Sequence, residues 1–226
     1  MHIHIPDGVL PIWLWATGYL ITLALAALAI KRIRGQERKS IMAAVMVAVM
    51  LVVQSIPLGV PYHMNLSALT GIVLGPWWAL LSILVTNIAQ AAFGHGGITI
   101  VGLNTLVVWS EALVGYCLFA VLRKTTKSGG LRSPLVAGVS TFVALTVSAF
   151  LVVGIVAISG IDPTQALGEH FREFLPATGR LQVSLMVFMI LTLPIALSGA
   201  LLEALVTSLL VAYVLRVKPS LIPRGD

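Results

Sequence analysis

The sequence predicts an all-α fold, a polytopic transmembrane helical bundle, and three observations lead to this fold class. Hydrophobic residues make up 58% of the 226 residues and charged residues only 10%. The mean hydropathy is +1.02, whereas a soluble domain of this length needs a more polar surface. The hydrophobic residues also form long runs that short polar or basic gaps separate. Most of the chain is therefore expected to lie in lipid.

Seven hydrophobic runs are candidate membrane spans, because a helix needs about 20 apolar residues to cross the hydrocarbon core. The runs cover residues 10–30, 41–57, 64–75, 77–93, 98–122, 133–159 and 181–215. Only Gly75 and Pro76 separate the third run from the fourth, so one of these two spans is expected to be tilted, broken or partly re-entrant. The last run is long enough to be kinked at Pro194 or divided in two. We predict about seven spans.

The basic residues predict the orientation, because cytoplasmic loops of membrane proteins carry an excess of Lys and Arg. With seven spans and the N-terminus outside, twelve of the fourteen Lys and Arg residues fall on the inner side. The two exceptions, Arg172 and Arg180, lie in the hydrophilic 160–180 loop, which is then an outer loop. An even number of spans would put one basic end on the wrong side. The C-terminus is therefore expected in the cytoplasm.

The chain is expected to form one integral membrane domain over residues 1–226, in a multi-pass protein of the plasma membrane. The net charge of +6 does not indicate nucleic-acid binding, because the basic residues lie in short gaps between apolar runs. The first basic residue, Lys31, follows the first hydrophobic run, whereas a signal peptide begins with a basic region. We therefore expect the N-terminus to be retained.

This orientation brings four of the five histidines to the outer membrane face. They are His2 and His4 near the N-terminus, His63 in a turn at residues 58–63, and His95 in a turn at residues 94–97. Imidazole is a common metal ligand, so four histidines on one side suggest a metal site. The fifth, His170, lies among charged residues in the outer loop and is expected to be solvated.

The N-terminal segment 1–9 carries a chelating pattern, because the chain opens Met1-His2. A deprotonated terminal amine, the His2 backbone nitrogen and the His2 Nδ1 atom can close two fused chelate rings around one ion. One further nitrogen completes a square plane, and His63 is the best candidate for it. Square-planar nitrogen coordination suits Ni²⁺ or Cu²⁺, whereas Zn²⁺ favours tetrahedral sites and Mg²⁺ octahedral oxygen sites.

Each candidate also has a structural interpretation. A histidine near the terminus of a membrane protein is often only solvated at the interface, which applies to His2 and His4. His95 belongs either to a flexible gate that supplies a ligand or to a simple glycine turn. Asn104 either orients a ligating histidine or is a hydrogen-bonding group between helices.

Polar residues within the apolar runs are expected to face the protein interior. Glu111 and Glu203 are costly in lipid, so each should face the interior or a partner. Asn87 and Gln90 are expected to form hydrogen bonds between helices. A methionine row at helical spacing is more often packing than a copper path, and we treat it as core. The row consists of Met42, Met46 and Met50.

The sequence lacks several motifs of energy-coupling or hydrolytic proteins. It has no GxxxxGK[ST] phosphate loop, so the chain cannot drive transport with ATP by itself. It also lacks an HExxH zinc-protease helix and a nucleophile elbow. We therefore expect a protein that is not an enzyme.

Several motifs together resemble one family. His4-Ile5-Pro6-Asp7-Gly8 is similar to the Met-His-Ile-Pro-Asp/Glu-Gly signature of nickel/cobalt-specific substrate-binding S components of energy-coupling factor (ECF) transporters. Further matches are His63 twelve residues before Gly75-Pro76-Trp77, then Phe93-Gly94-His95-Gly96-Gly97, Gly102-Leu103-Asn104-Thr105, Gly115-Tyr116 and Glu203-Ala204. The likeness covers essentially the whole chain.

The resemblance implies seven transmembrane helices, one of them an additional N-terminal helix, with first residues that insert into the protein and ligate the ion. The ligands that it implies are the Met1 amine, the His2 amide nitrogen and imidazole, and His63. It also implies partners, namely a transmembrane coupling subunit and cytoplasmic ATPases. The family histidine before Ile-Pro-Asp aligns with His4, whereas the chelate chemistry selects His2. We favour His2 and keep His4 as an added or replacement ligand.

The leading hypothesis is therefore an S component that binds Ni²⁺ or Co²⁺ outside and releases it inward when its partners hydrolyse ATP. One alternative is a stand-alone divalent cation channel or secondary transporter, with Glu111 and Glu203 on the ion or proton path. Another is a membrane metalloenzyme that keeps an open coordination position on a histidine-bound metal. Nitrogen donors accept both nickel and cobalt, so the sequence does not choose between them.

Overall fold

The computed structural model describes residues 7–56, 62–94, 96–125, 132–163 and 184–222. These ranges contain seven α-helices: α1 (Ile12–Arg32), α2 (Ser40–Gln54), α3 (Ser67–Leu74), α4 (Pro76–Ala92), α5 (Val101–Thr125), α6 (Arg132–Ser159) and α7 (Leu185–Val217). Short 3-10 helices, Glu37–Lys39 and Pro219–Leu221, precede α2 and follow α7. The described residues contain no β-strand, which confirms the predicted all-α class.

The helices correspond closely to the seven hydrophobic runs. Four of them, α1, α5, α6 and α7, are long and apolar enough to cross a membrane. The others are shorter than a full span, because α2, α3 and α4 have 15, 8 and 17 residues. The count of seven spans and the sides on which the termini lie stay predictions.

The third and fourth runs meet at a sharp break, as the Gly75-Pro76 pair predicted. Gly75 has φ +84°, a conformation that suits glycine, and Pro76 begins α4 where its missing N–H costs nothing. Lys39 donates from Nζ to the carbonyl oxygen of Leu74 at 3.1 Å, which satisfies a free carbonyl at the end of α3. The third run is thus the broken one, and its helix has only two turns.

The last run forms one continuous helix, so the alternative of two separate helices is wrong. Pro194 lies inside α7. The two sides of α7 differ: Gly199 and Glu203 are buried, whereas a leucine row faces outward. The row consists of Leu201, Leu205 and Leu209, which are 60–61% exposed in the isolated chain. Leucines face the lipid and small or polar residues face the protein, as expected for a helix in a membrane.

Helix α5 packs against α1, α3, α4 and α6, and the most extensive contact is between α6 and α7. Glycines allow the closest approaches to α5. A Cβ atom at Gly71 of α3 would overlap the backbone of Ala112, and one at Gly102 would lie 2.6 Å from the Tyr19 backbone nitrogen of α1. Small residues therefore set the spacing of the bundle.

The predicted polar pairs connect neighbouring helices. Asn87 donates to the Thr105 hydroxyl at 3.1 Å, and Gln90 donates to the side-chain oxygen of Gln54. The methionine row of α2 is core, as predicted, because Met46 and Met50 are buried and Met42 packs against the hydrophobic cluster that contains Met46.

Candidate functional site

A stretch of non-helical backbone, residues 62–66, lies inside the bundle before α3. Asn65 of this stretch donates to Glu111 near the middle of α5, and Glu111 also accepts from Ser148 near the middle of α6. Glu111 is ten residues after Val101, about 15 Å along the helix. Non-helical backbone at this depth must be satisfied by the protein, because lipid offers no hydrogen-bonding partner. We call residues 62–66 the inner segment.

Glu203 of α7 satisfies much of the inner segment. Its carboxylate accepts hydrogen bonds from the Tyr62 hydroxyl at 3.1 Å and from the Asn65 backbone N–H at 3.1 Å. It also accepts from the Leu66 backbone N–H at 2.9 Å. All three residues are far from α7 in sequence, and all are buried. The buried carboxylate therefore connects α7 to backbone on the inner segment.

Glu111 of α5 forms a second cluster beside the first. It accepts hydrogen bonds from the Asn65 side chain at 2.7 Å and from the hydroxyls of Ser67 and Ser148. The Asn65 side-chain oxygen in turn accepts from the Ser67 backbone N–H at 2.9 Å. Asn65 thus links the two carboxylates, since its backbone donates to one and its side chain to the other.

The prediction that Glu111 and Glu203 face the interior is confirmed, because both are fully buried. Sequence reasoning missed their partners Tyr62, Asn65 and Ser148. The cost of a carboxylate in lipid was a signal that such donors must exist, but hydropathy does not indicate which residues they are.

Close packing holds the Tyr62 ring beside Glu203. Gly199 lies one turn before Glu203 on α7, and a Cβ atom at Gly199 would overlap the ring of Tyr62. The glycine therefore makes room for the ring, and the carboxylate receives its hydroxyl. This pair of contacts fixes the start of the inner segment.

His63 belongs to the inner segment and is half-buried. The sequence predicted a turn at residues 58–63 on the outer membrane face; residues 58–61 lie outside the described residues, and the membrane side stays a prediction. The described residues 62–66 form non-helical backbone, in which Asn65 and Leu66 donate to the buried Glu203 carboxylate of α7. Tyr62 before it and Asn65 after it both donate to Glu203, so the histidine lies between two anchored positions.

A second anchored contact joins the N-terminal segment to the loop before α5. The Asp7 carboxylate accepts from the Ile98 and Thr99 backbone N–H groups at 3.1 and 2.8 Å, and from the Thr99 hydroxyl at 2.6 Å. These donors, the Thr99 hydroxyl first, lower the pKa of the Asp7 carboxyl below its ordinary value. Because Gly97 has no side chain, it leaves room for the Asp7 carboxylate. The contact fixes residue 7 over this loop.

Of the other predicted site residues, the structure describes Asn104. It is buried on α5, two turns before Glu111 and on the same side of the helix. The glycines on either side of His95 have positive φ, as the predicted turn requires. Met1, His2, His4 and His95 themselves lie outside the described residues. Within the described ranges, no group of three or more His, Cys, Asp or Glu side chains is placed to hold a metal ion.

A family model matches almost the whole chain. The model, described as the cobalt uptake substrate-specific transmembrane region (CbiM), covers residues 4–221. The chain belongs to the CbiM family. Membership confirms the resemblance predicted from the motifs, and the CbiM chain is a multi-pass transmembrane protein of the nickel/cobalt transport type.

Two relatives of this CbiM chain have names that refer to nickel. It is 29% identical over 227 residues to a putative fused nickel transport protein NikMN of Archaeoglobus fulgidus, covering 97% of this chain and 68% of the relative. It is 27% identical over 228 residues to the fused nickel transport protein NikMN of Rhodobacter capsulatus, covering 97% and 63%. The chain thus spans about two thirds of the length of these relatives.

Two solved structures share the fold of the CbiM chain. A truncated transition metal transporter superposes with a TM-score of 0.75 at 21% identity, covering 96% of this chain and 99% of that one. A second transition metal transporter gives a TM-score of 0.76 at 22% identity, covering 96% and 93%.

Proposed function

We propose that this chain is the substrate-capturing subunit of an ATP-driven ECF importer in the plasma membrane and that it binds Ni²⁺ or Co²⁺ on the outer side. The observation that carries the proposal is the inner segment, where non-helical backbone presents the imidazole of His63 inside the bundle of a CbiM-family chain. Imidazole nitrogen is a suitable donor for both ions. The names of the two relatives, which refer to nickel transport, support the same substrate class.

The proposed ligand set combines His63 with the N-terminal residues. The Met1 amine and the His2 amide nitrogen and imidazole supply three nitrogens, and His63 supplies the fourth, which gives a square plane. His4 and His95 are proposed as additional or replacement ligands, and Asn104 as a group that orients a histidine. The Asp7 contact supports this set, because it fixes one residue of the N-terminal segment 1–9 that carries Met1 and His2.

The proposed partners are a transmembrane coupling subunit and cytoplasmic ATPases. The chain has no phosphate loop of its own, so ATP hydrolysis would come from those partners. Copurification of this chain with an ATPase and a coupling subunit tests the assignment. A stand-alone channel or secondary transporter would need neither.

The two buried carboxylates favour capture over a channel or secondary transporter. Glu203 accepts three hydrogen bonds from protein groups, and Glu111 accepts at least three. Carboxylates on an ion path must exchange these donors for ions or water. Both carboxylates instead hold the inner segment through these hydrogen bonds, which supports a fixed binding site.

Calorimetric titration of the purified chain with Ni²⁺ and Co²⁺ tests the proposed function. We expect one ion per chain and a loss of affinity of at least about 100-fold in His63→Gln, since even supporting groups of a metal site cost 10- to 100-fold. His170→Gln is the matched control and should bind as tightly as the unsubstituted chain. Equal binding by His63→Gln, or no binding of either ion by the unsubstituted chain, would refute the proposal.

A further inference from the structure

The Glu203 carboxylate contacts the inner segment on both sides of His63. Tyr62 precedes the histidine and donates its hydroxyl to the carboxylate at 3.1 Å. Asn65 and Leu66 follow it and donate backbone N–H groups at 3.1 and 2.9 Å. The glutamate lies on α7, 137 residues from Leu66 along the chain. One side chain thus contacts the inner segment through one residue before the histidine and two residues after it.

We propose that Glu203 is a positioning residue for His63, and that its carboxylate fixes the inner segment so that the imidazole meets the metal ion in one place. This proposal rests on the function proposed above, with His63 as a ligand. Groups that orient a metal ligand commonly contribute 10- to 100-fold to metal affinity, because they lower the cost of ordering it.

The local backbone needs such an anchor. Leu66 has φ +54°, the only positive φ of a non-glycine residue in the part of the chain that the structure describes. A bulky residue in this conformation is strained and persists only where its surroundings hold it. The Leu66 N–H and the adjacent Asn65 N–H both donate to Glu203, so the carboxylate holds this conformation directly.

The geometry also separates the two carboxylates by role. Glu203 receives the backbone of the inner segment and the Tyr62 hydroxyl, whereas Glu111 receives side chains of Asn65, Ser67 and Ser148. Gly199 supports the first role, because only a glycine there leaves room for the Tyr62 ring. Loss of the Glu203 carboxylate should therefore displace His63 directly.

A substitution series tests the proposal by Ni²⁺ titration of the purified chain. Glu203→Gln keeps the size of the side chain but replaces one acceptor oxygen with a donor, and we expect affinity to fall about 10- to 100-fold. Tyr62→Phe removes only one of the three hydrogen bonds, and we expect a smaller loss of about 2- to 10-fold. Glu203→Asp retains the carboxylate on a shorter side chain and should lie between Glu203→Gln and the unsubstituted chain.

Thr207→Val is the matched control. Thr207 is buried on α7 one turn after Glu203, and valine has nearly the same shape. This variant should keep the affinity of the unsubstituted chain. Thermal unfolding without metal and the visible spectrum of the Co²⁺ complex are measured for every variant. A positioning role predicts a changed Co²⁺ spectrum in Glu203→Gln, because the imidazole moves, whereas loss of stability alone leaves the spectrum of the folded fraction unchanged.

A double-mutant cycle connects the effect to the histidine. If Glu203 acts through His63, adding Glu203→Gln to His63→Gln should weaken binding little further, because the ligand that it positions is already gone. Fully additive losses would refute the proposal, as would an unchanged affinity and Co²⁺ spectrum in Glu203→Gln. If Glu203→Gln does not fold, Tyr62→Phe decides in the same way.

The outcomes also distinguish this proposal from the proposed function. No binding of either ion by the unsubstituted chain removes both. Tight binding that is lost in His63→Gln but kept in Glu203→Gln removes only the positioning role of Glu203. The same set of titrations therefore distinguishes a failure of the proposed function from a failure of the positioning role.

Discussion

Asp7 and Thr99 are 92 residues apart in sequence, yet the Asp7 carboxylate accepts hydrogen bonds from both the backbone N–H and the hydroxyl of Thr99. The contact ties the N-terminal segment to the loop before α5. Together with the contacts of Glu203, it shows how the bundle fixes two segments that are distant in sequence. Both segments carry proposed ligands of one ion.

Replacing Asp7 with asparagine should weaken metal binding moderately. Asparagine keeps one acceptor oxygen and loses the charge, so we expect affinity to fall about 3- to 10-fold, the worth of one hydrogen bond of about 0.5–1.5 kcal/mol. Ni²⁺ titration measures this. Ser159→Ala, a change at a partly buried hydroxyl at the end of α6, is the control. Full affinity in Asp7→Asn would show that this contact does not support the site.

The same variant gives a prediction for pH dependence. The pKa of Asp7 is lower in the folded protein than its ordinary value of 3.8, so its contribution is fully present above that value and is lost as pH falls through the folded pKa. Between pH 6 and 8 Asp7 therefore stays ionised. Metal affinity should nevertheless fall with pH in this range, because the histidine and amine donors take up protons. Titrations at several pH values should give parallel curves for Asp7→Asn and the unsubstituted chain.

Two glycines provide a matched test of helix packing. Gly71→Ala places a methyl group against the backbone of Ala112, and we expect destabilisation of roughly 1–3 kcal/mol, the usual cost of overpacking. Gly154→Ala meets no atom within 4 Å on α6, so it should stabilise by about 0.5–1 kcal/mol through helix propensity. Thermal unfolding in detergent measures both. Equal effects would contradict the packing described for α3 and α5.

The Gln54–Gln90 pair tests polar contacts between α2 and α4. Gln54→Leu alone leaves the buried amide of Gln90 without its partner, and we expect a loss of stability of about 1–3 kcal/mol. Adding Gln90→Leu removes the unsatisfied group, so the double variant should be more stable than the single one. Thermal unfolding compares the two. A double variant less stable than either single one would show that the two glutamines stabilise the protein by more than pairing each other's buried amide groups.

The orientation can be tested by cysteine labelling. The only cysteine, Cys117, is exposed on α5 and is first replaced with alanine. Cysteines are then introduced at Gln36 and Asp162, both exposed and on opposite sides in the predicted topology. A membrane-impermeant maleimide should label position 162 in intact cells and position 36 only after permeabilisation. The reverse pattern would show that the N-terminus is inside.

Much of the fold follows from hydropathy, because the cost of exposing polar backbone to lipid leaves helices as the main solution. The break at Gly75-Pro76 was also predictable from the sequence, because glycine and proline are local signals of helix ends. The packing of the inner segment around His63 was not predictable, because local sequence does not distinguish non-helical backbone inside a bundle from a surface turn. Its position depends on Glu203, a partner 137 residues beyond Leu66.

The candidate site was predictable only in its chemistry. Histidines on one side of the membrane indicate nitrogen ligation, and a carboxylate in an apolar run indicates buried donors. The choice of Tyr62, Asn65 and Ser148 as those donors depends on how α5, α6 and α7 pack, which no local pattern encodes. The contact of Asp7 with Thr99 could not be predicted from the sequence for the same reason.

The most direct test of the central claim compares Ni²⁺ and Co²⁺ affinity of the chain that begins at Met1 with that of a chain carrying one additional N-terminal residue. We predict that the extension abolishes or severely weakens binding, because the terminal amine and His2 can no longer close the fused rings that His63 completes. Unchanged affinity in the extended chain would contradict the account, and the ligands would then have to come from His4, His63 and His95.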